Sequence, residues 1–342
     1  MARIVVLGAG MMGTACASHL TRCGHDVNLW GTELDGEIID LLKRERKHLT
    51  LQATVPSEIK FFRAEELKEA MKDRELVVIA VISHAVGKIV EKIVPFLEKG
   101  MIIINVAKGI PEAPYLTLCD LIENLIPSWL KKRVWVVGMG GPARAGELVS
   151  EVYTEVIFAA KNREIARHCV HLFSNSKLRA KATSDLVGVE LCAAMKNAYA
   201  IAVGMCEGVA EKLEMTMDNT KAAFMAQAIT EMSKFIVPCG GNLETVMGIA
   251  GVGDLYVTVQ GGRNGRLGRL LGLGMRVSQA LEQMKDQTVE GYTTCQGMLR
   301  LAKELERKCV LQIKRDLPLF VELYEVLYCQ KKVERVIKEY WG

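Results

Sequence analysis

Up to about residue 185, short apolar runs rich in Val and Ile alternate with amphipathic stretches. That alternation is the mark of β-α-β units whose strands lie in a parallel sheet covered on both faces. The runs Ile4 to Leu7, Asp26 to Trp30, Leu76 to Val81, Met101 to Asn105, Val134 to Val137 and Thr154 to Ala159 predict the strands. From Asp185 onward strand-like runs largely vanish and long helical stretches replace them, the last an amphipathic helix over Gln330 to Trp341. The pattern predicts an α/β domain with a mostly parallel sheet over 1–185 and an all-α domain over 186–342. Two domains also suit a length at which a single core usually stops growing.

One segment interrupts the helical half. Glycines recur at 248, 251, 253, 261, 262, 265, 268, 272 and 274. Breakers at that density predict loops with closely approaching backbone rather than one regular helix.

Composition narrows the function classes. With 50% hydrophobic and 25% charged residues the chain has the balance of a folded protein. The net charge of +4 is small and its basic residues are spread out, which argues against nucleic acid as a partner. Ten cysteines are scattered with no Cys-x-x-Cys pair and no Cys/His cluster at zinc spacing, so free thiols and no metal are expected. Since the chain enters a strand at Ile4 with no leader ahead of it, a cytoplasmic location is expected. The most hydrophobic stretch, Leu186 to Cys206, contains Glu190 and Lys196, so it reads as a buried helix rather than a membrane span. Sixteen methionines and abundant apolar helices allow the expected homodimer, although helical cores use the same residues.

Gly8, Gly10 and Gly13 form G-x-G-x-x-G directly after the first strand and at the start of a helix, Met12 to Arg22. In that context the first glycine permits a tight turn, the second lets backbone approach a pyrophosphate, and the third lets helix and strand pack closely. The phosphates then meet the free N–H groups of the helix start, at Met11, Met12 and Gly13. Glu33 lies about twenty residues beyond the motif, where an acid accepts hydrogen bonds from the adenosine ribose. That acid favours NAD over NADP. Arg44 and Arg46 lie near enough to keep NADP open.

Two lysines stand out by context. Lys108, in NVAKG, projects from the carboxyl edge of a strand, the side on which open α/β sheets bind ligands. Lys196 lies in LCAAMKNAYAIA with Cys192, Ala193, Tyr199 and Ala200 on its helical face. Either it snorkels to solvent, or it is a partly buried acid whose pKa is drawn toward neutrality and which delivers a proton to a carbonyl under reduction. Asn197 beside it is suited to a substrate hydroxyl. Asp254, in GVGDL, would be costly to bury without a cation, and one of the two lysines is its natural partner. Arg263 and Asn264 begin a helix and suit an anion.

GAGMMGTA, NVAKG, GGPARAGE, GVELCAAMKNAYAIAVG, GVGDLYVT, GGRNGRLGRLLG and VEGYTT resemble, in order and spacing, the NAD(P)-dependent glycerol-3-phosphate dehydrogenases. The resemblance spans nearly the whole chain. It implies a Rossmann domain followed by an all-helical substrate domain, and hydride exchange between NAD(P) and the ketone carbon of dihydroxyacetone phosphate. By that resemblance Lys196 is the catalytic lysine and Lys108 a lysine beside substrate and nicotinamide. Asp254 and Asn197 orient Lys196 and hold hydroxyls, while Thr258, Arg263 and Asn264 bind substrate, the last two nearest its phosphate. Arg263, Glu290 and Ala145 resemble cofactor contacts, and Gly141 lines the substrate.

The chain departs from the family pattern in three places. Gly141-Pro142-Ala143-Arg144-Ala145 lacks the usual hydroxyl and aromatic ring, Gly262 replaces a frequent serine, and Gly31-Thr32-Glu33 replaces a common basic residue. Two rival functions are a related 3-hydroxy acid dehydrogenase, which would recognise carboxylate, and a dinucleotide-sensing module without turnover.

Overall fold

The computed structural model describes residues 1–341. It divides into two compact units, and the first comprises Met1–Ala107 and Thr117–Leu186. Its strands are β1 (Arg3–Leu7), β2 (Asp26–Trp30), β3 (Lys60–Phe62), β4 (Leu76–Ile79), β5 (Ile102–Asn105), β6 (Trp135–Gly140), β7 (Thr154–Ala159) and β8 (Leu178–Thr183). They form one sheet in the order β3-β2-β1-β4-β5-β6-β7-β8. Every neighbouring pair is parallel except β6 with β7. Strand order reverses between β1 and β4, the switch point at which open α/β sheets leave a crevice beyond the strand ends.

Helices α1 (Met11–Arg22), α2 (Gly36–Glu45), α3 (Leu67–Met71), α4 (Val86–Ile93), α5 (Leu118–Leu125), α6 (Ala145–Val149) and α7 (Arg163–Phe173) complete this unit. Ile4, Val5, Val6 and Leu7 are all fully buried, so after Arg3 β1 is apolar at every position instead of alternating. The strands that sequence reasoning missed lack that signature. β3 has three residues. β8 sits at the sheet edge and alternates, with exposed Arg179 and Lys181 both paired to Glu155 on β7.

The second unit comprises Lys108–Leu116 and the chain from Val187 onward. The expected division at 185 did not foresee that residues 108–116 pack with the helices. Ile110 fits against Gly297, and Arg300 holds the carbonyls of Pro111 and Tyr115. The helices are α8 (Leu186–Lys212), α9 (Asp218–Ile236), α10 (Leu243–Met247), α11 (Asp254–Val259), α12 (Arg263–Gly272), α13 (Val277–Gln283), α14 (Glu290–Arg307), α15 (Ile313–Asp316), α16 (Pro318–Cys329) and α17 (Val333–Trp341). The terminal helix starts later than expected because Gln330 adopts a left-handed conformation that ends α16.

Helix α8 is long and apolar enough to cross a membrane, yet 94% of its most apolar window is buried inside the structure. A helix buried all round needs no polar face.

In the glycine-rich segment the helix expected from Arg263 and the close backbone approach are present, but helical turns replace most of the loop expected ahead of it. A π-helical turn, Ile249–Gly253, runs into α11, and only residues 260–262 separate α11 from α12. The glycines of α12 serve close approach rather than turning. A Cβ on Gly268 would lie 2.1 Å from the carbonyl oxygen of Ile201, so α12 rests directly on the backbone of α8.

Candidate active site

In the first unit, the loop after β1 is built by its three glycines. Gly8 has φ 108°, and a Cβ there would meet the Ala80 carbonyl oxygen at 2.6 Å. A Cβ on Gly13 would meet the Gly8 oxygen at 1.9 Å. At Gly10 nothing lies within 4 Å, which leaves the space a pyrophosphate needs. No side chain caps α1 and no acid lies in its first turn, so the amides beginning at Met11 and Met12 and the helix dipole are available to an anion. The residues present therefore fit a dinucleotide.

Ala9 is braced from both sides. Its N–H donates to Asp35 Oδ2 at 3.2 Å, and its carbonyl accepts from Thr14 Oγ1 and from His48 Nε2. Asp35 Oδ2 also accepts from the backbone N–H and the hydroxyl of Thr32, each at 2.8 Å. Glu33, expected on the adenosine ribose, is exposed and pairs with Lys92. The acid against the motif is Asp35, two positions later, with the same chemistry at nearly the same spacing. Neither arginine is free: Arg44 pairs with Glu45, while Arg46 lies over Phe61 and donates to the Ile59 carbonyl at 2.7 Å. Gly141 follows β6 with φ 97°, and half-buried Ala145 begins α6.

In the second unit, α8 supplies Lys196, α11 supplies Asp254 at its first residue and Thr258 one turn later, and segment 108–116 supplies Lys108. Side-chain exposure is 1% for Asp254, 6% for Lys196 and 17% for Lys108. Lys108 Nζ donates to Asp254 Oδ2 at 3.0 Å, and Lys196 Nζ donates to Asp254 Oδ1. Lys196 also donates to Thr258 Oγ1 at 2.8 Å, whose own proton goes to the Asp254 carbonyl at 2.6 Å. One buried carboxylate thus serves two ammonium groups.

Burial drives the Lys196 ammonium toward its neutral form; Asp254 opposes this and the charge of Lys108 assists it, with the result that its pKa falls to about 7. Lys108 is also penalised by burial, but the Asp254 carboxylate outweighs the penalty and holds it above the ordinary lysine value.

Beside Lys196, the amide of Asn197 is oriented by a chain of bonds. The Gly291 N–H can only donate, so Asn264 Oδ1 accepts from it at 2.9 Å. Asn264 Nδ2 must then donate to Asn197 Oδ1, also at 2.9 Å. Asn197 Nδ2 is left buried without a partner among the described residues, a donor suited to an incoming oxygen. Gly291, which sequence reasoning did not single out, permits this arrangement, because a Cβ there would lie 2.3 Å from the Asn197 carbonyl oxygen. Arg263 is exposed at the start of α12, and its side chain has no hydrogen bond or ion pair among the described residues. Glu290 begins α14, and its charge acts on Lys108.

The structure therefore joins Lys108, Lys196, Asp254 and Thr258 in one cluster, and Asn197 with Asn264 in an adjoining one. No group of three or more His, Cys, Asp or Glu side chains placed to hold a metal ion occurs among the described residues.

Residues 3–166 match the family model described as the NAD-dependent glycerol-3-phosphate dehydrogenase N-terminus, and residues 185–338 match the corresponding C-terminus. The NADP(+)-dependent glycerol-3-phosphate dehydrogenase of Archaeoglobus fulgidus is 32% identical over 98% of each chain. A glycerol-3-phosphate dehydrogenase (NAD(P)+) of Thermoanaerobacter is 34% identical over 95% of this chain and 92% of the relative. Among solved structures, the glycerol-3-phosphate dehydrogenase of Coxiella burnetii superposes with a TM-score of 0.86 at 26% identity, covering 100% of this chain and 99% of the other.

Proposed function

The chain belongs to the family of NAD-dependent glycerol-3-phosphate dehydrogenases, and on that premise we propose that it interconverts dihydroxyacetone phosphate and sn-glycerol 3-phosphate, with Lys196 as general acid and base. The observation that carries this reading is the buried Asp254 shared by two lysines, one of them poised near neutrality beside the unpartnered amide of Asn197.

When bound, the nicotinamide supplies or accepts the hydride. In reduction Lys196 gives its proton to the carbonyl oxygen as that oxygen gains charge, and in oxidation it takes the proton back. Lys108 stays positive and stabilises the developing alkoxide from the second carboxylate oxygen. Asp254 and Thr258 fix the direction of the Lys196 ammonium, so less is lost in reorganisation during reaction. Asn197 Nδ2 donates to a substrate hydroxyl. Unpaired Arg263, with the N–H groups of the α12 start and the free amide hydrogen of Asn264, binds the phosphate, and this remote grip orients the reacting carbon.

Gly8, Gly10, Met11, Met12 and Gly13 would hold the pyrophosphate, with Asp35 or Glu33 on the adenosine ribose, and Gly141 would line the substrate. Ala145, Lys108, Arg263 and Glu290 are the further cofactor contacts in this reading. An acid on the ribose favours NAD over NADP. We also propose a cytoplasmic homodimer, supported by ten free thiols, a buried α8, and exposed Leu243, Met247 and Tyr256 as apolar surface.

The test follows nicotinamide absorbance with dihydroxyacetone phosphate or a 3-keto acid, each with NADH and NADPH. Turnover confined to the phosphorylated triose is expected. Comparable turnover of the keto acid would overturn the substrate assignment, and binding of NADH without any turnover would point to a sensor.

A further inference from the structure

Residues 109–116 contain no helix or strand and two prolines, yet they follow directly from a lysine that must meet a buried carboxylate. Such a segment has little internal hold, and a flexible one would let Lys108 leave Asp254 for water. Helix α14 supplies what the segment lacks. Gly297 makes room for Ile110, since a Cβ there would approach Ile110 Cβ to 2.8 Å. On the same face, three residues on, Arg300 Nη2 donates to the carbonyls of Pro111 at 3.0 Å and Tyr115 at 3.1 Å. Nη1 donates to Glu304 one turn further, at 3.3 Å, which steadies the guanidinium. The planar guanidinium thus gives both hydrogens of one nitrogen to the two carbonyls while its other nitrogen ties it to its own helix.

The helix that holds the segment also serves the neighbouring groups. Its first residue, Glu290, bears on the charge of Lys108, and the N–H of Gly291 starts the chain that orients Asn264 and Asn197.

We propose that Arg300 is a positioning residue for the reaction, tying the carbonyls of Pro111 and Tyr115 to α14 and thereby fixing the Lys108 ammonium on Asp254. The inference rests on the reading of Lys108, Asp254 and Lys196 as the reacting set. Arg300 touches none of these groups, so its effect must pass through Lys108. If it is lost, Lys108 spends less time beside Lys196, less positive charge opposes protonation there, and the pH midpoint of activity rises. Removing Lys108 itself must raise the midpoint the same way.

The experiment compares Arg300→Met, Lys108→Met and the double variant with wild type, measuring kcat, KM for dihydroxyacetone phosphate and kcat against pH, with melting curves to verify folding. Arg300→Met is expected to lower kcat about tenfold, from displacement of a catalytic group by a fraction of an ångström, with KM nearly unchanged. Its pH midpoint should move upward, and the double variant should be no worse than Lys108→Met, because both changes act on one interaction. Arg300→Lys, which keeps the charge but not the fork, should be impaired in the same sense and provides the measurement if the methionine variant does not fold. A wild-type kcat and pH profile in the Arg300 variants, alongside a damaged Lys108→Met, would overturn the positioning role alone. An unaffected Lys108→Met would overturn both the reading of the site and the role given to Arg300.

Discussion

Asp254 can satisfy both buried ammonium groups only while the three charges share a net positive charge in a dry site. Losing one proton relieves the repulsion between the lysines, and the more buried of them, Lys196, is the one that burial favours as the neutral amine. The direction of its pH dependence follows from its role. Reduction needs the ammonium, so its kcat should fall as pH rises through about 7, while oxidation needs the amine and its kcat should rise over the same interval. Opposed profiles in the two directions are the expected measurement, and parallel ones would remove Lys196 from the proton transfer. Lys196→Ala should lower kcat in both directions by roughly 10²–10⁴-fold, the range for a positioned acid or base, with NADH affinity near that of wild type. The lysine, the aspartate and the amide were all legible as candidates, since a cation in an apolar helix and an acid among glycines are both anomalies of composition. The pairing of Asp254 with one of the lysines was legible too, from the cost of burying a lone carboxylate; that it takes both was not, because Lys196 and Asp254 are separated by 58 positions and meet only through the packing of α11 beside α8.

At the scale of elements, α8 and α12 decide whether the proposed phosphate grip lies beside the proton donor. Their contact is backbone on backbone. A methyl group on Gly268 would meet Ile201 O at 2.1 Å and Met205 N at 2.8 Å, and neither atom can rotate away as a side-chain end would. Gly268→Ala should therefore push α12 outward, with Arg263 and Asn264 at its start. A loss of about 1–3 kcal/mol in urea melts is expected from overpacking, together with a raised KM for dihydroxyacetone phosphate. An unchanged KM would show that the seam does not place Arg263. The glycines told of close approach and of a break ahead of the helix at Arg263, but not that helical turns would fill most of residues 249–259, because a residue without a side chain signals turns and close approach alike. Glu231 illustrates another limit. It is buried and accepts from Tyr199, Gln227 and the Leu319 and Phe320 N–H groups, joining α8, α9 and the start of α16. Nothing in the sequence marks that glutamate among the 40 acidic residues.

For the whole molecule, the cofactor question is one of linkage, since a ligand bound only by the folded state stabilises it by mass action. NADH at about a hundredfold above its Kd should add about 2.7 kcal/mol, read as a rise of a degree or more in Tm. At equal concentration NADPH should raise Tm less, because Asp35 and Glu33 carry negative charge beyond β2, where a 2'-phosphate would add more. Equal shifts would show that these acids do not select the cofactor. The sequence by itself determined the α/β half, the helical half, the turn that suits a dinucleotide and the list of groups able to do the chemistry. These depend on local rules: apolar periodicity, the freedom of glycine, and the cost of burying charge. Only the tertiary structure decided that Asp35 braces the motif, that residues 108–116 pack with the helices, and that Arg300 holds them there. Those outcomes depend on which surfaces meet across long separations, and no local pattern of residue types records that meeting.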